Sequence, residues 1–247
     1  MMFFNFKTKI KKDDKVVKKS DQQQEFQNIL SFAKSVIKNY ESTKKDLHDY
    51  RSLKHPIFEV INILGRKIHS DYMVRLLSVE DESDLESFLP PFMFPSQTIL
   101  TPEGKTYHDL IKKVNVKRIA NLKADTVIPW PWARGRLIDT ITNIGPGRGW
   151  GSWKEDKINH YLELWLPFGL FWVNGGNHSI SVGILQGTGT ITADVVYDIC
   201  NIYNYVYCDG KHYYRKFDNT IISEVKNLEL AAIFEIGRLM IKHSISF

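Results

Sequence analysis

Apolar positions recur at helical spacing through two early stretches of the chain. Between Gln24 and Leu47 they fall at Phe26, Ile29, Leu30, Ala33, Val36, Ile37, Tyr40 and Leu47, which predicts an amphipathic helix. Pro56 suits a first helical turn, and Ile57, Val60, Ile61, Leu64 and Ile68 follow on one face, with Gly65 weakening its end. Asp71 is placed to cap a further short helix through Tyr72, Val74, Leu76 and Leu77. The acidic run Glu80, Asp81, Glu82, Asp84 and Glu86 then reads as a solvated linker, or as a patch for a metal or a basic partner. Pro90, Pro91 and Pro95 mark the end of this helical module.

Beyond the prolines the period changes. A short helical pattern from Tyr107 to Val114 precedes a loose alternation from Val116 to Leu122 and a second β signal at Thr126-Val127-Ile128. Pro129-Trp130-Pro131-Trp132 cannot lie in a central strand and predicts a sheet edge or an exit loop. Helix spacing returns from Arg134 to Ile144. Tyr161 to Leu166 alternates, with His160, Leu162, Leu164 and Leu166 on one side. Pro167-Phe168-Gly169 turns the chain into Leu170 to Val173, predicting a hairpin. Further strands are expected at 191–197, 203–207 and 212–214, the last after an Asp209-Gly210 turn, and an amphipathic helix closes the chain from Val225 to Met240.

These elements predict an α+β protein in three parts: a flexible basic arm at 1–22, a helical module at 23–89, and a mixed-sheet domain at 90–247 with a C-terminal helix. With 247 residues, 43% of them hydrophobic, there is enough chain to bury one substantial core. The net charge of +5 weakens as an argument for nucleic acid once seven lysines are placed between Lys7 and Lys19. That arm is a solubilising tail or a tether to nucleic acid or membrane. Two cysteines, Cys200 and Cys208, make no disulfide scaffold and point to a reducing cytoplasm. The apolar run Leu164–Val173 is too short to span a bilayer, and Met-Met-Phe-Phe is too short for a signal-peptide core.

The chemistry concentrates at Gly175-Gly176-Asn177-His178-Ser179, an apolar strand running through a glycine turn into a helix start. Paired glycines admit positive φ or close approach of a ligand, and free N–H groups at a helix start favour anions. Asn177 is expected to cap that helix. His178 is a phosphate donor, a general acid or base, a metal ligand, or a turn-holding side chain. Ser179 would assist binding, since no base with its orienting partner marks it as a nucleophile. Asp156 and His160, four apart, would share a helix face or flank a strand entry, where they could activate water, hold a metal or lock two loops. The loop Gly145–Trp153, with Arg148, Trp150 and Trp153, reads as a lid or pocket wall or as a loop tucked onto the core.

Phe171-Trp172-Val173 followed by Gly175-Gly176-Asn177-His178, together with Ile128-Pro129-Trp130-Pro131-Trp132-Ala133-Arg134-Gly135-Arg136, resembles the ParB/sulfiredoxin superfamily over roughly 116–186. The longer pattern also looks like a bacterial family of unknown function with a Gly-Asn-His-Ser turn. The superfamily resemblance implies nucleotide or phosphorylated-ligand binding, with phosphoryl-transfer or phosphodiester activity and a nucleotide–magnesium cofactor. Arg134, Arg136 and Trp150 join Gly175, Gly176, Asn177 and Ser179 as binding residues, with His178, Asp156 and His160 as the catalytic set. Asn177 stands where sulfiredoxins carry their reactive cysteine, so thiol chemistry does not transfer. Ser179 stands where the superfamily has arginine, and Arg134, Arg136 or Arg148 would have to supply that charge. A non-catalytic protein-interaction module, anchored by Trp130, Trp132, Trp150 and Trp153, is the competing expectation. Nucleic-acid binding through the lysine arm is a third.

Overall fold

The computed structural model describes residues 21–43, 54–85 and 93–247. The lysine arm, Leu47, Glu86 and the Pro90-Pro91 boundary lie outside the described residues. The described chain is α+β, as the change of period predicts. Helices α1 (Gln22–Thr43) and α2 (Ile57–Ser78) come first. After a 3-10 turn at Glu82–Asp84 there follow α3 (Tyr107–Leu110), β1 (Lys112–Lys113), β2 (Ile119–Asn121), β3 (Thr126–Ile128) and α4 (Arg134–Asn143). The centre is β4 (Tyr161–Leu166), β5 (Leu170–Gly175) and α5 (Asn177–Gln186). Then come β6 (Thr190–Thr192), β7 (Val195–Asp198), β8 (Val206–Cys208), β9 (His212–Arg215), β10 (Ile221–Glu224) and α6 (Leu228–Lys242).

The main sheet runs β1-β7-β4-β5-β3. The β4–β5 hairpin is antiparallel, and each hairpin strand takes a parallel outer neighbour, β7 beside β4 and β3 beside β5. Strands buried on both faces explain the density of apolar residues in this part of the sequence. Alternation sends Leu162, Leu164, Phe171 and Val173 to one core, shared with Ile180 and Val182 of α5. Trp165, Leu170 and Trp172 go to the other, shared with α1, α2 and α6. There Trp165 and Trp172 stack nearly parallel at 5.3 Å, and Trp130 leans on Trp172 at 5.1 Å. Trp130 follows β3 at the sheet edge, as the prolines around it require. A meander, β8-β9-β10, and a two-stranded β2–β6 sheet complete the fold.

Several boundaries differ from the periodicity. The expected break at Asp71 is absent: α2 continues to Ser78 because His69, Tyr72, Met73 and Leu76 extend its buried stripe, while Asp71 faces out and pairs with Lys67 at 2.5 Å. Gly65 does not weaken that helix's end; a Cβ there would overlap Thr126 Cγ2, so the missing side chain is what lets α2 sit against β3. The 107–114 pattern divides into the four-residue α3, closed by a Thr106–Asp109 capping box, and β1. Part of the 203–207 segment belongs to a 3-10 turn at Cys200–Asn204, and β8 begins only at Val206. The last helix starts at Leu228, where Asn227 accepts the Leu230 N–H at 2.7 Å. No helix among the described residues is long and apolar enough to cross a membrane.

The glycines make a differential test. Gly65→Ala is expected to destabilise the protein by roughly 1–3 kcal/mol, the range for overpacking. Gly135→Ala, at an exposed α4 position with nothing within 4 Å, should stabilise by about 0.5–1 kcal/mol. Urea unfolding of the two variants reads both signs.

Candidate functional site

The hairpin delivers its second strand to the turn at Gly175-Gly176. Gly176 is the N-cap of α5 in the left-handed region, φ 76°, with no side-chain cap. Its Cβ would overlap the His160 ring, and a Cβ on Gly175 would come within 2.6 Å of the Asn159 carbonyl oxygen. The glycine pair therefore makes room for the chain segment at 159–160 packed beneath the turn.

His160 is buried there with both ring nitrogens used. Nδ1 accepts the Asp156 backbone N–H at 3.0 Å, and Nε2 lies 2.8 Å from Ser179 Oγ. Ser179 in turn donates to the Gly176 carbonyl at 3.1 Å. A neutral ring that accepts at Nδ1 carries its proton on Nε2, so Nε2–H donates to Ser179. This polarity is opposite to that of a serine nucleophile and its base, which must accept the hydroxyl proton. Trp153 stacks on the imidazole at 5.4 Å and donates from Nε1 to the Ser179 carbonyl at 2.7 Å. Gly183 and Gly189 leave the slot that the indole fills. Burial pushes the His160 pKa below the ordinary histidine value, against the opposing pull of Asp156 and Glu155.

Asn177 does not cap α5. Its Oδ1 accepts the Trp130 N–H at 2.6 Å, tying the turn to the segment leaving β3. His178 is buried, and its Nε2 accepts the Ala133 N–H at 3.1 Å, which leaves the proton on Nδ1. Burial lowers its pKa against the opposing pull of backbone hydrogen bonding at Ala133, with the Arg136 guanidinium acting in the same direction as burial. A third histidine supports the turn from below. His69 of α2 reaches Ser181 Oγ at 3.4 Å, Ser181 donates to the Asn177 carbonyl at 2.8 Å, and burial brings the His69 pKa down to about 4.

Above this framework lies a cleft of about 620 Å³. The turn from Gly175 to Ser179 forms its floor, and Asp156 and His160 stand at one side. The lining also takes in one face of α4, Arg136, Asp139 and Thr140, with Trp132 before the helix and Trp150 after it. The structure thus brings together Arg136, Trp150, Asp156, His160 and the whole Gly175–Ser179 turn. Arg134 is outside the cleft wall, and its N–H donates to Glu82 Oε1 at 2.8 Å. Arg148 is spent on the α4 C-terminus, donating to the Ile141 and Ile144 carbonyls at 2.6 and 2.8 Å. Of the three candidate arginines only Arg136 faces the cleft, stacked 4.8 Å over Trp132.

Trp132, Lys154, Asn159 and Asn174 line the cleft without having been singled out as binding residues from sequence. Lys154 follows Trp153 directly, and that adjacency was the available signal. The four tryptophans separate: Trp153 is buried and Trp130 half-buried, while Trp132 and Trp150 are 56% and 60% exposed. Among the described residues the amides of Asn177, His178 and Ser179 have no protein acceptor, leaving the positive end of α5 open at the cleft floor. No cluster of three His, Cys, Asp or Glu side chains able to hold a metal occurs among the described residues.

With this geometry in place, comparison with known proteins gives one assignment: residues 11–247 match the family of unknown function DUF6710. The chain belongs to the DUF6710 family. No curated protein and no solved structure matches it. The DUF6710 match covers the α1–α2 region, the sheet and the cleft in one span, so the helices belong to the same family unit as the Gly-Asn-His-Ser turn.

The buried histidines set the acid limb of stability. His69 has its folded pKa depressed from 6.5 to about 4, so the unfolded chain takes up a proton at a higher pH than the native one. Stability is fully present above pH 6.5 and is lost as pH falls toward 4, by up to about 3 kcal/mol for a shift of that size. His160 and His178 are shifted in the same direction. Urea midpoints should fall between pH 6.5 and 4, and His69→Gln should flatten that slope in part; an unchanged slope in the variant would remove His69 from the account.

Proposed function

We propose that this protein binds a nucleotide or phosphorylated ligand in the cleft. The observation that carries the reading is Arg136 stacked on the exposed Trp132 beside the open amino end of α5. A helix start without acceptors offers backbone N–H groups to an anion, a guanidinium adds charge-assisted hydrogen bonds, and an indole offers a face for a ring. Lys154 adds a second cation to the lining. The ParB/sulfiredoxin resemblance supports the same reading, since β5, the glycine turn and α5 follow in that superfamily's order. In this chain Arg136, from a different element, takes the part of the arginine that Ser179 replaces.

His178 contributes its Nδ1–H as a donor to phosphate, and Asp156 keeps one carboxylate oxygen after Oδ1 accepts the Ile158 N–H at 3.0 Å. Phosphoryl transfer or phosphodiester cleavage would draw on those two residues, with His160 positioning the turn. Magnesium, where the ligand brings it, would be held chiefly by the phosphates themselves, since Asp139 and Asp156 are the carboxylates that line the cleft.

A thermal-shift panel of nucleotides and inorganic phosphate, with and without magnesium, tests the reading. Ligand at 100 times its Kd stabilises by about 2.7 kcal/mol, which moves the midpoint by roughly 5–10 °C for a chain of this size. Arg136→Ala should abolish the shift while leaving the unliganded midpoint within about 2 °C, because an exposed surface substitution changes stability by less than ~0.5 kcal/mol. No shift with any nucleotide or phosphate would remove the reading and favour a protein-interaction module using Trp132 and Trp150.

A further inference from the structure

The two exposed indoles stand at opposite ends of α4. Trp132 immediately precedes the Ala133 N-cap, and the Trp150 N–H donates to the carbonyl of Asn143, the last residue of the helix, at 2.8 Å. Ten helical residues at 1.5 Å each separate these ends by about 15 Å. Both indoles nevertheless line the same cleft, with Arg136, Asp139 and Thr140 on the helix face between them. A stacked ring lies within roughly 4.5–7 Å of its partner's centroid, and the two ends of the helix are farther apart than that.

The Trp132 indole and the loop that carries Trp150 are both held in place. Trp132 lies under the Arg136 guanidinium and edge-on to His178 at 5.3 Å. The Trp150 loop is closed by the Gly145 N–H to the Gly151 carbonyl at 2.8 Å and by Arg148 on the α4 carbonyls. The amino end of α5, with Asn177, His178 and Ser179, lines the same cleft. The arrangement is aromatic at both ends, with Arg136, Asp139 and the amino end of α5 between them. The volume of about 620 Å³ falls within the range of small-molecule sites.

We infer that the cleft takes two nucleobases joined through phosphate, one stacked on Trp132 and one on Trp150, with the linking phosphate at the amino end of α5. This inference rests on the nucleotide reading above and narrows it. The same chemistry is presented by a free dinucleotide and by two successive residues of a single strand.

Tryptophan-fluorescence titrations of the full chain with AMP, a 3′–5′-linked diadenylate, a 5′–5′ pyrophosphate-linked diadenosine and a single-stranded oligoadenylate test it. At least one two-base ligand should bind about tenfold or more tighter than AMP. Trp150→Ala should erase that advantage, and Trp150→Phe should restore most of it. An oligomer tighter than either dinucleotide identifies single strands as the source; equal or weaker binding identifies the free dinucleotide. If AMP binds in an Arg136-dependent way but two-base ligands bind no tighter, this inference fails and the nucleotide reading stands. If none of the four binds, this inference fails, and the nucleotide reading is decided by the nucleotide and phosphate panel above.

Discussion

The site depends on one buried hydrogen-bonded seat, His160 held between the Asp156 N–H and the Ser179 hydroxyl. A buried imidazole stays neutral and satisfied only when each nitrogen has a partner of the right polarity. Here the chain supplies an N–H on one side and, on the other, a hydroxyl already committed to the Gly176 carbonyl. That commitment makes Ser179 an acceptor toward the ring, so the two observations assign the same tautomer independently. Gly176 in the left-handed region and the stacked Trp153 then follow, because the first makes room above the ring and the second closes its face. The amino end of α5 is left facing the cleft.

The same logic extends into the body of the fold. Asn177 ties the turn to the strand exit at Trp130, and Ser181 ties it to His69 on α2, which is seated against β3 through Gly65. The helix start is therefore fixed from three directions by groups that leave its own amides unused. Rigid support from helices and strands is what a binding constellation needs if it is to be preorganised. Arg136 and the two exposed tryptophans sit on that frame rather than within it.

Much of this was legible in the residues, and the limits have physical reasons. The hairpin followed from alternation and its proline-glycine turn, and the α5 start followed from the glycine pair after an apolar strand. Asp156 and His160 flank the entry to β4, one of the two placements their spacing allowed, but that spacing could not reveal that Asp156 acts through its backbone N–H. Asn177 was read as a cap because asparagine at a helix start usually is one; its real acceptor duty is to a residue 47 positions away, which local pattern does not encode. Asp71 resembled a helix start for the same local reason, while the buried stripe of α2 decided otherwise. The division of labour among Arg134, Arg136 and Arg148 was equally hidden, because it depends on which face of α4 and which helix end meets the cleft.

The most direct measurement of the His160 seat is a long-range ¹⁵N–¹H correlation spectrum of the histidine rings at neutral pH. The account predicts a neutral His160 with its proton on Nε2 and Nδ1 as acceptor. Conversion of His160 to the Nδ1–H tautomer, or a charged imidazolium at pH 7, would contradict it, because either state breaks the hydrogen bond from Asp156 on which the turn rests.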